Sequence, residues 1–165
     1  MMMAAMEIRR ATPLDASAMT AISHQAYAPF LPLLGRPPAP MLADHATHIA
    51  KDRVFLACDS AGTVLGYAIV IAADDGFWLD NIAVAPAAQG QGVGGRLVAA
   101  VEAWLAPQSE RYALYTNIVM TANIEWYRRL GFVETARRRV DGFDRVYFEK
   151  YLARRMNGMS AADQK

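Results

Sequence analysis

A glycine-rich turn between an apolar strand and an amphipathic helix constrains the fold of this chain more than any other feature. Residues 84–97 read Val-Ala-Pro-Ala-Ala-Gln-Gly-Gln-Gly-Val-Gly-Gly-Arg-Leu. Glycine has no Cβ atom, so a ligand can approach the backbone N–H groups of this turn closely. At a helix start these N–H groups lack intrahelical partners and the helix dipole is positive, which favours a phosphate or pyrophosphate. A tight connection without a ligand is the structural alternative.

Length and composition suit one globular domain. The chain has 165 residues, of which 54% are hydrophobic and 20% charged, and we expect a core over residues 7–152 with flexible ends at 1–5 and 153–165. The net charge of +1 gives no reason to expect nucleic acid or a membrane as a partner. The one cysteine, Cys58, and the lack of a signal-like or membrane-spanning segment predict a cytoplasmic protein.

Hydrophobic periodicity predicts alternating strands and helices. The predicted strands span 7–11, 54–59, 64–73, 77–84, 112–118, 132–140 and 143–151, and the predicted helices span 13–26, 41–51, 93–105 and 122–130. Five prolines between positions 28 and 41 argue against regular helix there. The order predicts an α/β fold: a mixed, mostly antiparallel sheet of about seven strands, with helices on both faces and a central parallel β-α-β unit.

Two other phosphate-binding motifs fit the glycine turn less well. The spacing Gly90-x-Gly92-x-x-Gly95 matches the dinucleotide fingerprint. That motif normally follows the first strand of a doubly wound domain, whereas here it comes halfway along the chain. A P-loop is excluded because no Gly-Lys-Ser/Thr sequence ends the turn.

Two segments together resemble the GNAT N-acetyltransferase superfamily. The first is Val84-x-Pro86-x-x-Gln89-x-x-Gly92-x-Gly94, which is similar to that family's coenzyme A motif, and the second is the segment 123–132, Asn-Ile-Glu-Trp-Tyr-Arg-Arg-Leu-Gly-Phe. They occur in the family's order, and the order of predicted elements matches over about residues 7–152. The resemblance therefore implies a GNAT-like fold.

The resemblance implies acetyl-CoA as co-substrate and no metal. It assigns pyrophosphate binding to backbone N–H groups of the turn, pantetheine pairing to the preceding strand, and further contacts to the later helix. The implied cofactor-binding residues are Ile82, Ala83, Val84, Gln89, Gly90, Gln91, Gly92, Val93, Gly94, Gly95, Asn123 and Tyr127. Pantetheine pairing requires the strands 77–84 and 112–118 to splay apart, leaving their backbone groups free.

Tyr127 and Asp80 are the candidate catalytic residues. By resemblance, the Tyr127 hydroxyl protonates the leaving thiolate; packing on the sheet is its structural alternative. Asn123 lies one helical turn before it, with local backbone capping as the alternative. Some family members carry a glutamate on the fifth strand, but this chain has Thr-Asn-Ile at 116–118. Asp80 is therefore the candidate base, ahead of Glu125 and Asp144. The alternatives are that Asp80 binds substrate or pairs with an arginine, and that the amine loses its proton through water.

The proline-rich segment is expected to line the acceptor pocket. Tyr27, Phe30 and Arg36 are the candidate substrate-binding residues, and anchoring of the segment to the core is the alternative for Phe30. His45 and His48 are three residues apart. They are expected on an exposed helix without a metal, because a third ligand is missing.

The predicted activity is transfer of an acetyl group to a primary amine of a small molecule or a peptide N-terminus, by direct attack in a ternary complex. A non-catalytic acyl-CoA-binding module of the same fold is the main alternative. A nicotinamide-dependent oxidoreductase is a third hypothesis. A homodimer is a possible assembly, and the sequence does not indicate which amine is the acceptor.

Overall fold

A seven-stranded sheet is the centre of the computed structural model, which describes residues 5–153. The strands are β1 (Glu7–Arg10), β2 (Arg53–Cys58), β3 (Val64–Ala73), β4 (Gly76–Val84), β5 (Arg111–Asn117), β6 (Val133–Val140) and β7 (Phe143–Tyr151). The helices are α1 (Ala16–Tyr27), α2 (Leu31–Leu34), α3 (Ala39–Leu42), α4 (His45–Lys51), α5 (Val93–Leu105) and α6 (Thr121–Arg129). Apart from residues 5 and 153, the ends expected to be flexible lie outside the described residues.

The strand order confirms the predicted fold class. The strands follow each other as β1-β2-β3-β4-β5-β7-β6. The pair β4–β5 is parallel, and every other neighbouring pair is antiparallel. A parallel pair needs a crossover connection, and the chain between β4 and β5 supplies one in α5.

Two hydrophobic clusters, one on each face of the sheet, form the core. Alternation along β3 sends Ala68 and Val70 to the cluster around α5, and Tyr67 and Ile69 to the cluster around α1. The apolar stripe predicted on α5, formed by Val93, Leu97, Val101 and Leu105, is buried. No helix within residues 5–153 combines the length and apolar character needed to cross a membrane.

The proline-rich segment corrects one expectation, because it contains two short helices. Pro32 and Pro40 lie in the first turns of α2 and α3, where a helix needs no N–H donor and tolerates proline. Gly35, with φ +76°, ends α2. The helix expected over 41–51 is likewise divided. An extended backbone at Ala43 and Asp44 separates α3 from α4, and Asp44 caps α4 by accepting from Thr47 N at 3.2 Å.

His45 corrects a second expectation, because it is buried rather than on an exposed helix. Its Nδ1 lies 2.8 Å from Thr20 Oγ1, and its ring meets the Tyr67 ring edge-on at 5.5 Å between centroids. Desolvation lowers the pKa of His45. His45 is therefore part of the core between α1, α4 and β3.

Candidate active site

The glycine turn forms an open cradle at the start of α5. Gly90 and Gly92 have φ values of +78° and +79°, and nothing lies within 4 Å of where a Cβ would be at either position. A side chain at Gly94 would instead meet the Trp126 ring at 3.0 Å. The turn therefore needs glycine for its backbone shape at 90 and 92, and for close packing at 94.

Free backbone donors follow each other along this cradle. Among the described residues, no protein acceptor receives a hydrogen bond from the backbone N–H groups of Gly90 to Gly95; the next donor along, Arg96 N, bonds to Gly92 O at 3.1 Å. Gly92 caps α5 without any side-chain hydrogen bond. A row of unpaired N–H groups at the positive end of a helix suits an anion such as a diphosphate.

The strands β4 and β5 splay apart next to the cradle, as expected. Their parallel pairing is confined to Phe77–Tyr112 and Trp78–Ala113, so the carboxyl-terminal halves of both strands lack each other as partners. Beside the cradle and the carboxyl end of β4 lies a cavity of about 620 Å³, which we call the glycine cleft. Its lining includes Ile82, Ala83, Val84, Gln89, Gly90, Gly92, Val93, Gly94, Gly95, Asn123, Trp126 and Tyr127.

A second cavity of about 360 Å³ lies beside the first, and we call it the proline cavity. The proline-rich segment contributes Leu34, Pro38, Ala39 and Pro40, and the sheet contributes residues of β3, β4, β5 and β7. Its charged or titratable lining residues other than tyrosines are His48, Asp80 and Arg145. The cavity is thus mostly apolar with a few polar groups, as is typical of small-molecule sites.

The two cavities meet at a shared wall. The residues that line both are Tyr27, Ile82, Met120, Asn123 and Tyr127. Tyr127 is 7% exposed, and burial raises the pKa of its phenol above the ordinary value. The phenol is therefore protonated at neutral pH, and its residue lies on the wall that the two cavities share.

Asp80 faces the proline cavity from an irregularity in β4. Ile69 pairs with Asn81 and Val70 with Leu79, so Asp80 is an extra residue without a partner on β3. Burial raises the pKa of the Asp80 carboxyl, and His48 acts in the opposite direction. His48 Nε2 lies 3.9 Å from Asp80 Oδ2, while His48 Nδ1 lies 2.8 Å from Asp52 Oδ2. A carboxyl with a raised pKa in a cavity lining is a candidate proton acceptor.

Asn81 and Arg145 line the proline cavity but were not expected from the sequence. Asn81 Nδ2 donates to Tyr27 Oη at 2.7 Å, and Asn81 Oδ1 is buried with no partner within residues 5–153. Burial raises the pKa of Tyr27 to about 12, and the Asn81 hydrogen bond acts against this. Asn81 directly follows Asp80 in β4, and its role depends on contact with Tyr27, 54 residues earlier, so the local sequence gave no signal for it.

The other expected site residues are divided between the two cavities. Tyr27 lines both, whereas Phe30 lines the glycine cleft rather than the proline cavity. Arg36 lines neither; its guanidinium lies 4.3 Å from the Phe143 ring centroid and ties the proline-rich segment to the β6–β7 turn. The Gln91 side chain turns back to donate to Ala87 O at 3.3 Å. The part of the chain described here brings no three His, Cys, Asp or Glu side chains together as metal ligands.

Comparisons with known proteins place this geometry in a family. A family model described as an acetyltransferase (GNAT) domain matches residues 50–134. No curated protein sequence gives a significant match.

Solved structures resemble the chain over nearly its whole length. It is similar to the ribosomal-protein-S18-alanine N-acetyltransferase from Escherichia coli, with 23% identity over 94% of this chain and 99% of that chain and a TM-score of 0.74. It is similar to nourseothricin acetyltransferase, with 21% identity over 90% of this chain and 99% of that chain and a TM-score of 0.69. It is also similar to Ard1 from Thermoplasma volcanium, with 18% identity over 90% of this chain and 98% of that chain and a TM-score of 0.72. These likenesses show the fold, and the family model covers more than half of the chain. The chain therefore belongs to the GNAT acetyltransferase family.

Proposed function

We propose that this protein transfers the acetyl group of acetyl-CoA to a primary amine by direct attack in a ternary complex. The single observation that carries this proposal is the meeting of two cavities at Tyr127. One cavity offers free backbone donors for an anion, and the other offers a carboxylate in an apolar pocket. Two substrates bound in adjoining cavities can react without a covalent enzyme intermediate.

The residues of the glycine cleft fit acetyl-CoA. The unpaired N–H groups of Gly90 to Gly95 would hold the pyrophosphate, since they have no competing acceptor among the described residues. The unpaired backbone groups of β4 from Ile82 to Val84, facing the splay, would bind the pantetheine arm as an added strand does. Asn123, which lines both cavities, would contact the same arm near its reactive end.

The protein's own groups supply proton transfer at both ends of the reaction. Acetyl-CoA brings an activated acyl group, so the amine nitrogen forms a bond to the acetyl carbon while the carbon–sulfur bond breaks. Asp80 accepts the proton that the amine must lose, because an alkylamine is mostly protonated near neutral pH and cannot attack in that form. Tyr127 donates its phenolic proton to the departing sulfur.

Direct attack is favoured because no nucleophilic thiol lies between the cavities. Cys58, the one cysteine of the sequence, is buried on β2 and lines neither cavity. Burial raises the pKa of the Cys58 thiol, which reduces the thiolate fraction. We therefore expect Cys58→Ala to retain turnover. A trapped acetyl-Cys58 that is competent for transfer would contradict direct attack.

A panel of primary amines with acetyl-CoA tests the proposal, with release of free CoA thiol as the readout. Thermal unfolding with and without acetyl-CoA gives an independent measure of binding. We expect acetyl-CoA to raise the Tm, and at least one class of amine to accelerate thiol release. Stabilisation by acetyl-CoA without any acceptor would instead identify a non-catalytic acyl-CoA-binding module. Stabilisation by NAD(P) and not by acetyl-CoA would contradict both readings.

A further inference from the structure

Two walls of the proline cavity carry opposite charges. Asp80 lies on β4, and Arg145 lies on β7, where it pairs with Asn117 of β5. Between these walls β4 and β5 have already separated, because their pairing ends at Trp78 and Ala113. A ligand in this cavity therefore meets an anion on one side and a cation on the other.

Arg145 is half-buried without an anionic partner. Its guanidinium lies 4.2 Å from the centroid of the Tyr115 ring, and no carboxylate of residues 5–153 comes within 4 Å of it. Other arginines, such as Arg9, Arg111 and Arg137, do have carboxylate partners. A guanidinium that lines a cavity and has no carboxylate partner is suited to bind one from a ligand in two parallel hydrogen bonds.

The β4 wall offers acceptors suited to an ammonium group. Besides the Asp80 carboxylate, Asn81 contributes a buried amide oxygen without a partner, and Asn81 is 7% exposed. The hydrogen bond from Asn81 Nδ2 to Tyr27 Oη fixes which end of this amide is left as an acceptor. A buried acceptor without a partner is costly, so a donor on the ligand would stabilise this arrangement.

The same cavity also has apolar lining. Leu34, Pro38, Leu79 and Phe143 contribute to it, within a volume of about 360 Å³. That volume is in the range of small-molecule sites. It accommodates a short hydrocarbon body between an amine and an acid.

We propose that the acceptor is a small amine that also carries a carboxylate on an apolar body, that is, an amino acid in the broad sense. This inference rests on the proposed function, because it names the substrate class of the same site. The amine binds at Asp80 and Asn81 Oδ1, where deprotonation takes place, and the carboxylate binds Arg145.

Matched pairs of amines with and without the carboxylate test the proposal. Suitable pairs are phenylalanine and phenethylamine, 4-aminobutyrate and propylamine, and 6-aminohexanoate and pentylamine, which vary the spacing of the charges. We expect the acid of at least one pair to have a kcat/KM about 10- to 100-fold above its partner. In Arg145→Gln this preference should disappear because the acid alone reacts more slowly, while the KM for acetyl-CoA stays unchanged.

Arg138→Gln is the matched control. Arg138 pairs with Arg145 across β6 and β7 and also lies over a tyrosine, Tyr147, at 5.2 Å, but it does not line the proline cavity. This variant should keep the wild-type preference. A preference that survives in Arg145→Gln, or pairs that react equally in the wild type, would overturn the proposal.

Binding measured without turnover separates failure of this inference from failure of the proposed function. With CoA present, the acids but not the matched amines should raise the Tm, and Arg145→Gln should abolish that rise. If no amine is acetylated but the acids still bind through Arg145, the proposed reaction fails and the ligand class stands. If amines are acetylated with no preference for a carboxylate, the reaction stands and this inference fails. Absence of both reaction and selective binding contradicts both.

Discussion

The glycine cleft and the proline cavity adjoin each other but are built in different ways. One continuous stretch, from Ile82 to Gly95, lines much of the first and offers the free backbone N–H groups of its glycine turn. Side chains from widely separated segments make the second, including Leu34, Asp80 and Arg145. A site built from backbone can accept many sequences around it, whereas a site built from side chains changes with each substitution. Under the proposed function, acetyl-CoA binds the first kind of site, and acceptor specificity lies in the second.

The sharpest test of this comparison lies where the two cavities join. Tyr127→Phe removes the proton donor and leaves the ring in place, so we expect kcat to fall about 100-fold with little change in the KM for either substrate. Steady-state kinetics with varied acetyl-CoA and amine measures this. Tyr112→Phe removes another buried tyrosine hydroxyl, one that donates to Glu102 Oε1 at 3.0 Å outside both cavities. It should lower stability and leave kcat unchanged; equal loss in both variants would indicate a structural role for Tyr127.

Gly92→Val tests the glycine cleft. A β-branched residue at φ +79° is strained, and its side chain fills the open cradle. Losing even one hydrogen bond to a phosphate should raise the KM for acetyl-CoA about 10-fold or more. Gly62→Val is the matched control, since Gly62 has φ +83°, equally open surroundings and no place in either cavity. Similar KM values in the two variants would mean that strain alone, not loss of the cradle, explains the effect.

Asp80→Asn tests the proline cavity, because it should lower the activity without lowering the stability. We expect kcat/KM to fall about 10-fold or more, and the acidic limb of the pH profile to move, because the wild-type base must lose a proton with a raised pKa. A carboxyl with a raised pKa binds its proton more tightly in the folded state. The bound proton therefore stabilises the fold at low pH, and this stabilisation is lost as the pH rises through the raised pKa. Near neutral pH, the amide should therefore raise the Tm slightly. Thermal unfolding and pH–rate profiles measure both effects, and a lower Tm with unchanged rates would contradict the assignment.

The smallest effect on activity is expected at a site remote from both cavities. Asp15 accepts two hydrogen bonds of 2.9 Å from Arg9 and one of 2.7 Å from Thr12 N, and the Arg9 guanidinium lowers the pKa of Asp15 to about 2. A lowered pKa stabilises the fold above the unfolded value, and this stabilisation is lost as the pH falls from about 4 to 2. Asp15→Asn should cost about 1–3 kcal/mol at pH 7, less at pH 3, with unchanged KM values. Denaturant unfolding at both pH values measures this, and a pH-independent cost would contradict it.

The two cavities also differ in how far the sequence reveals them. The glycine turn and its helix could be predicted because neighbouring residues determine them, and the splayed strands were expected from the resemblance to the GNAT family. The role of Asn81 could not be predicted, since it depends on a hydrogen bond to Tyr27, 54 residues earlier in the chain. Arg145 was equally hidden, because a basic residue on a strand gives no sign of which cavity it lines. The one-turn helices at Leu31–Leu34 and Ala39–Leu42 are too short to show periodicity, and the burial of His45 depends on packing against Tyr67.

The close packing of Trp126 against Gly94 has a practical consequence. This indole lies on the wall of the glycine cleft, whereas Trp104 packs against Phe55 and Phe77, and Trp78 against Tyr147, outside both cavities. We expect emission from Trp126 to change with what occupies the cleft, while Trp78 and Trp104 supply a steadier background. Under the proposed function, a titration without labels would then follow acetyl-CoA binding separately from events in the neighbouring pocket.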